Sequence, residues 1–464
     1  MAGGLLMDGI TPRNVERNAY FTGAVGFQGK EEKSTQGAEP KDQVSLRDML
    51  QLQPEDFNPS GTVNVIIQPS DPKEIAQLEA QLSQDSRNKI KRELPIIGGF
   101  SAEVDPTSRN VAQMMGGNDV KVFLDGKIGI IEPVEKLNND VHIMMDVAGK
   151  AMGIDKVWDK GFKGKDTTIC VIDTGIARHP DVKDRIIGFK DIITGKEGPE
   201  NAYDDQGHGT HCASIAAGDG SSSGGKFVGA APEANLVGVK VLSANGGGAF
   251  SDVIAGIQWA VENKDKFKID VISMSLGGSV YQSYKDDPVS QAVEKAVDKG
   301  IVTVVAAGNS GPKDKTIGTP ANSPHVLTIG ALDDKGTVQR DDDSVAYFSS
   351  RGPTNIDKLP KPDVLTPGVK ITAANYTGGY VAMSGTSMAC PLAAGMTALI
   401  KQAVPTITPG EMKGVVMGSA DDLNKLPHKD QGAGVFNVAK SIEKLTGMEI
   451  IPPPPPPNPA PVKP

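Results

Sequence analysis

Cysteine is scarce. Cys170, Cys212 and Cys390 are the three in 464 residues, too few and too scattered for a disulfide framework or a zinc site of closely spaced thiolates, so free thiols are expected. Aromatic residues are equally sparse, at 5%, and Lys and Arg do not outnumber the acids: the formal net charge is −9. With no basic, aromatic-interleaved stretch, that balance argues against nucleic acid or an anionic membrane as the main partner. No run of about 18 consecutive apolar residues occurs, so no membrane span is expected. The segment Met1–Asp8 has no basic region leading into an apolar run; no signal peptide is read there, and a cytoplasmic location is expected.

Glycine, by contrast, is plentiful at 54 residues, and 38% hydrophobic with 23% charged residues is ordinary for a soluble globular protein. The chain is long enough for a large core. Residues 1–60 mix Gly, Lys, Glu, Gln and Pro around short apolar patches and read as a largely unstructured extension, with a helical turn or two over Leu46–Leu52. From Gly61 the pattern sharpens. Val63–Ile67 reads as a strand, and Asp71-Pro72-Lys73-Glu74 opens a helix on Ile75, Leu78 and Leu82. Leu94–Ile97 and Phe100–Val104 read as strands turned at Gly98-Gly99; a helix on Val111, Met114 and Met115 follows, then a strand over Val120–Leu124. The order βαββαβ is that of a small ferredoxin-like α+β domain spanning residues 61–127, with residues 128–145 as a linker.

The main body, residues 146–447, alternates continuous apolar runs with helical patterns. Thr168–Ile172, Leu236–Leu242, Val271–Met274, Ile301–Ala307 and Val326–Ile329 read as strands buried on both faces. Between them lie a helix capped by Ser251 and another over Val289–Lys299 closed by Gly300. This is the pattern of an α/β, doubly wound, mostly parallel sheet, in which sites gather beyond the carboxyl ends of the strands. Residues 448–464, with Pro452–Pro457, read as a polyproline II tail.

Four positions carry chemistry. Asp173 follows its strand in Val-Ile-Asp-Thr-Gly, as an orienting acid would, or as a surface aspartate; the Asp-Thr-Gly of an aspartic protease needs a second copy, and none occurs. His208, in Gly-His-Gly-Thr-His, is flanked by glycines that permit close approach; a metal pair with His211 lacks further ligands, and His211 is read as structural. Asn309, in Ala-Ala-Gly-Asn-Ser, suits either turn chemistry or donation to an oxyanion. Ser387, in Ser-Gly-Thr-Ser-Met-Ala-Cys-Pro, stands where a serine is a helix cap, a nucleophile, or both. The order Asp, His, Ser is one of those in which the serine triad is strung along a chain.

Together these segments resemble the subtilisin-like (subtilase, peptidase family S8) serine proteases, with details similar to the AprX-like bacterial branch. The resemblance implies a serine endopeptidase acting through an acyl-enzyme, with Asp173, His208 and Ser387 as the triad and Asn309 with the Ser387 backbone N–H as oxyanion hole. It implies one substrate-binding strand at Ser275, Leu276, Gly277 and Gly278, and an opposite one at Gly246, Gly247 and Gly248 with Phe250 near the S4 pocket. No acid is evident in the S1 segments, so apolar P1 residues are expected. The small domain resembles an inhibitory propeptide whose final strand occupies the cleft until autoprocessing, so the chain's expected partners are polypeptide substrates and its own propeptide, in a monomer. No cofactor is implied for the chemistry. A structural calcium ion is, but Gly218–Lys226 departs from the asparagine-containing loop that holds calcium in secreted relatives, leaving Asp181 as a candidate ligand elsewhere. The rival from another class is a catalytically silent binding protein on the same scaffold.

Overall fold

The computed structural model describes residues 45–117, 120–137, 145–423 and 426–450. The readings for residues 1–44 and for the proline-rich tail from residue 451 lie outside the described residues.

The helical turn read over Leu46–Leu52, inside the extension read as largely unstructured, is present and packed. Ser45 caps the short helix α1 (Leu46–Met49), its hydroxyl accepting from Asp48 N at 3.1 Å. Leu46 and Leu52 are buried in one cluster with Val65, Ile67, Leu78, Leu82 and Phe100. Strands β1 (Val63–Pro69), β2 (Lys89–Leu94), β3 (Gly99–Val104) and β4 (Val120–Leu124) form an antiparallel sheet in the order β2-β3-β1-β4, and α2 (Ile75–Leu82) and α3 (Arg109–Gly117) complete the βαββαβ order. Strand β1 buries apolar side chains on both faces because it has two neighbours. Val65 and Ile67 join the cluster with α2, while Ile66 joins the one that contains Ile254 and Ile257 of the main body.

β2 lies earlier than expected. Leu94–Ile97 was read as a strand, but the ladder runs over Lys89–Leu94, and Pro95–Ile97 is a 3-10 turn ended by Gly98 at φ 66°. As the edge of its sheet, β2 can leave Lys89, Lys91 and Glu93 in solvent, so its apolar content is low. Pro95 lacks the N–H that would continue the ladder.

Two short strands follow, β5 (Lys127–Ile130) and β6 (Glu135–Leu137), and then α4 (Met145–Ala151) and α5 (Ile154–Asp159). The main body comprises β7 (Thr168–Asp173), β8 (Ile186–Asp191), α6 (His208–Ala217), β9 (Asn235–Lys240), β10 (Gly247–Ala249), α7 (Phe250–Glu262), α8 (Lys264–Phe267), β11 (Ile269–Met274), β12 (Leu276–Gly277), α9 (Pro288–Asp298) and β13 (Val302–Ala306). It continues through β14 (Leu327–Asp333), β15 (Ser344–Val345), β16 (Val364–Pro367), β17 (Ile371–Ala374), β18 (Tyr380–Ser384) and α10 (Thr386–Ala403). Helices α11 (Pro409–Gly418), α12 (His428–Gln431) and α13 (Val438–Thr446) close it.

Its large sheet has the order β15-β14-β13-β11-β7-β9-β8, with β16 also paired to β14 and every pairing parallel except that of β15. Alternation along β7 explains the two layers of helix. Ile169 and Val171 pack with residues of α6, α10 and α13, whereas Cys170 and Ile172 pack with α7 and α9. Strands β8 and β16 escaped the sequence reading because Gly188 and Lys190 interrupt one and the other has only four residues. Among the described residues no helix is long and apolar enough to cross a membrane.

Candidate active site

Strand β7 delivers Asp173 at its carboxyl end, fully buried, with Oδ1 accepting from Thr174 N at 2.7 Å. His208 opens α6 directly opposite. A side chain at position 209 would place its Cβ 2.2 Å from Gly175 O, so only glycine lets this helix end come that close. His208 Nδ1 then lies 2.8 and 3.0 Å from the two Asp173 oxygens. A carboxylate can only accept, so Nδ1 carries a proton, and in the neutral ring Nε2 presents its lone pair. Nε2 is buried and has no hydrogen-bond partner among the described residues. Burial acts to lower the His208 pKa, but the adjacent Asp173 charge outweighs it and holds the imidazole well above its usual value. His211, one turn on, bonds Val381 O through Nε2 at 2.9 Å, a structural contact.

Ser387 is the second residue of α10, and the N-cap is Gly385. The sequence reading that nucleophile and cap are one residue is thus corrected. The position still leaves the Ser387 N–H among the first-turn donors that no intrahelical carbonyl accepts. Its hydroxyl lies within donating distance of two carbonyls, Ile131 O at 3.0 Å and Ser275 O at 3.3 Å. Asn309, just beyond β13, is oriented by Thr386: Oδ1 accepts from Thr386 N at 2.9 Å and from its hydroxyl at 3.0 Å. That fixes the amide so that Nδ2 faces the cleft, where it donates to Glu132 O at 2.8 Å. Nothing in the sequence beyond the Gly-Thr-Ser run hinted that Thr386 orients Asn309.

The cleft is filled by the chain itself. β5 lies antiparallel between β10 and β12, with Ile128 opposite Gly248, Gly129 opposite both Gly247 and Gly277, and Ile130 opposite Leu276. Ile130 N donates to Gly246 O at 2.9 Å and Ile131 N to Ser275 O at 3.4 Å. Gly278 instead exchanges backbone hydrogen bonds with Thr319, both at 3.0 Å. The Phe250 ring is buried beside Gly126 and Gly278, where added Cβ atoms would come within 2.9 and 3.0 Å of it, and it shares a cluster with Ile128. Past the serine, Val134 N donates to Ser384 O at 2.8 Å and β6 pairs with β18. The strand in the cleft is therefore not the final strand of the small sheet, as expected. β4 stays paired with β1, and the cleft takes the next segment, whose alternating Ile and Gly carried no signal of a binding role.

Asp181 is buried, and both its oxygens are engaged: Oδ2 accepts from the Tyr380 hydroxyl at 2.7 Å and Oδ1 from Ser222 N at 2.8 Å. Each oxygen of this carboxylate therefore already accepts a hydrogen bond from the protein. All three cysteines are free and buried. Cys212 lies against the site, its thiol donating to Ser387 O at 3.3 Å and standing 3.8 Å from His208 Nδ1, and burial pushes its pKa up.

Comparison with known proteins gives the family. A profile of the Subtilase family matches residues 164–434. Over 383 residues the chain is 42% identical to "Serine protease AprX" of Bacillus subtilis (strain 168), covering 78% of this chain and 83% of that one. It is 36% identical to subtilisin DY of Bacillus licheniformis over 287 residues, 61% of this chain and 93% of the other. Among solved structures, fervidolysin of Fervidobacterium pennivorans superposes with a TM-score of 0.68 at 23% identity, over 84% of this chain and 62% of that one, a likeness of fold. The chain belongs to the subtilase family, in its AprX-like branch, and is a subtilisin-like serine endopeptidase.

Proposed function

We propose that Asp173, His208 and Ser387 hydrolyse peptide bonds as a catalytic triad, and that the chain is made as a zymogen held by its own N-terminal unit. The observation that carries both parts is the continuous segment Lys127–Leu137 lying across the cleft with its Ile131 carbonyl 3.0 Å from the Ser387 hydroxyl.

His208 Nε2 takes the proton of Ser387 as its oxygen attacks the scissile carbonyl, and Asp173 holds the tautomer and stabilises the imidazolium that forms. The oxyanion is held by Asn309 Nδ2 and the Ser387 N–H. His208 then gives the proton to the leaving amine, and water, activated by the same imidazole, hydrolyses the acyl-enzyme. No cofactor takes part. Substrates are polypeptides that enter as a third strand between the edges at Gly246–Gly248 and Ser275–Gly277, with main-chain hydrogen bonds giving affinity and pockets giving preference.

The bond proposed for self-cleavage is Ile131–Glu132. Ser275 and Gly246 accept from Ile131 and Ile130, and the hydroxyl faces the Ile131 carbonyl. Cleavage one residue later would have to expel the ring nitrogen of Pro133. For attack, the Asn309 amide exchanges Glu132 O for Ile131 O, a shift of one carbonyl. An isoleucine at P1 agrees with the apolar preference expected from the sequence. The released enzyme acts as a monomer, with the detached unit as its inhibitor.

Mass spectrometry over time tests this. The wild type should shorten to a chain beginning at Glu132 and react with a fluorophosphonate probe, whereas Ser387→Ala should stay intact and unlabelled. A wild type that neither shortens nor labels would make the protein a silent binding scaffold.

A further inference from the structure

A lysine interrupts the apolar run Leu236–Leu242. Lys240 ends β9, and in the ladder with β7 it is the register partner of Asp173. Its side chain is 2% exposed, which a lysine tolerates only when it is paired. A buried ammonium is costly unless its three protons are all accepted. Here they are: Nζ donates to Thr174 O at 2.8 Å, to Leu242 O at 2.6 Å and to Asp205 Oδ1 at 2.6 Å.

The three acceptors lie on segments that meet at Asp173 and His208. Thr174 directly follows the acid: its N–H donates to Asp173 Oδ1, and its hydroxyl accepts from Gly209 N at 2.9 Å, at the start of α6. Leu242 and the residue before it hold the Asp173 carbonyl, with Val241 N at 3.0 Å and Leu242 N at 3.2 Å. Asp205 stands three residues before His208, between two residues that reach the same helix start. Asp204 Oδ2 accepts from Thr210 N at 3.0 Å, and Gln206 Oε1 from His208 N at 2.8 Å. Backbone pairing of Gly175 with Asp204 brings the two loops together. The ammonium is the one side-chain group that bonds the acid's loop and the base's loop at once through charge.

We propose that Lys240 is a positioning residue for the reaction: by clamping Thr174 and Asp205 to one point it keeps His208 Nδ1 within reach of both Asp173 oxygens. The proposal rests on the triad reading above. Lys240 touches neither substrate nor the reacting atoms, so its effect passes through the geometry of the pair, where a displacement of about 1 Å can cost on the order of a hundredfold in rate. The substrate edge does not need it. The turn that leads into β10 closes on itself, with Ser243 N donating to Gly247 O at 2.9 Å and Gly246 N to Ser243 O at 2.8 Å. Loss of the clamp should therefore show in kcat and not in KM.

Two variants test this. Lys240→Met keeps the apolar stem and removes the donors; on the processed enzyme it should lower kcat for a peptide substrate at least about tenfold while KM moves less than about threefold. Asp205→Ala removes a side chain that is 41% exposed, which the fold can spare, and releases only the loop of His208. It should lower kcat about threefold to tenfold, again with KM kept. In the full chain carrying Ser387→Ala, the downfield proton resonance of His208 Nδ1–H reports the pair without turnover. It should broaden or vanish with Lys240→Met and weaken with Asp205→Ala. A resonance and a kcat that both variants retain overturn the proposal. So does a fall in kcat with the resonance unchanged, which would mean that the lysine only stabilises the fold. A wild type without turnover would overturn the triad reading, and the resonance would still decide the role of Lys240.

Discussion

In the proposed mechanism the resting charge of His208 and its task pull in opposite directions. The imidazole must be neutral to accept the Ser387 proton, yet the Asp173 carboxylate at 2.8 Å favours the protonated ring and holds its pKa above 6.5 despite complete burial. The neutral form therefore appears only as pH rises through that elevated value. On the processed enzyme, the rising limb of kcat/KM against pH should lie on the alkaline side of 6.5; a limb at or below 6.5 would contradict this reading of the pair. Stability responds with the other sign. The pair's contribution is full below the unfolded value of about 6.5 and is lost as pH climbs through the folded one. At this scale the chain was readable, because glycine-flanked Asp173, His208 and Ser387 and the Asn309 at a strand end are local patterns. The orientation of Asn309 by Thr386 was not, since it joins residues 77 positions apart.

Helix α7 shows what an element owes to a distant neighbour. Its sequence suggests a cap by Ser251, but the helix begins at Phe250 with Ala249 at the N-cap position, where a methyl group offers no acceptor. The acceptors come from the segment before β5. Asp125 receives Ser251 N at 2.9 Å and the Ser251 hydroxyl at 2.7 Å, and Gly126 O receives Phe250 N at 2.9 Å. The first-turn donors of a main-body helix are thus satisfied by the chain that leads into the cleft. Asp125→Ala, in the Ser387→Ala background, should cost about 1 kcal/mol of that docking. Added trypsin reports it: cleavage after the exposed Lys127 should quicken about fivefold as the open population grows, and an unchanged rate would remove Asp125 from the docking. β2 makes the same point in reverse. Its charged, alternating sequence hides a strand because only its place at a sheet edge makes such a composition acceptable.

For the whole molecule the decisive fact is continuity. The small sheet, the cap at Asp125, the strand between β10 and β12 and the pairing of β6 with β18 follow one another along a single stretch of backbone. A cleft supplied by its own chain sees that segment at an effective concentration set by the connection rather than by the solution. Processing should then be first order, with a half-time unchanged over roughly a tenfold range of protein concentration. A half-time that shortens in proportion to concentration would mean that one molecule cuts another.

By itself the sequence determined the class of sheet and the chemical groups. Buried parallel strands must be apolar on both faces, and the proposed nucleophile, base and oxyanion donor need particular residue types beside glycine or a helix start, so both are written locally. Tertiary structure alone decided which segment fills the cleft, which residue caps α7, and that Asp181 is taken up by Tyr380 and Ser222. Each of these is a meeting of residues that the sequence lists separately. Their energies depend on burial and on who else is present, and only the folded chain supplies that.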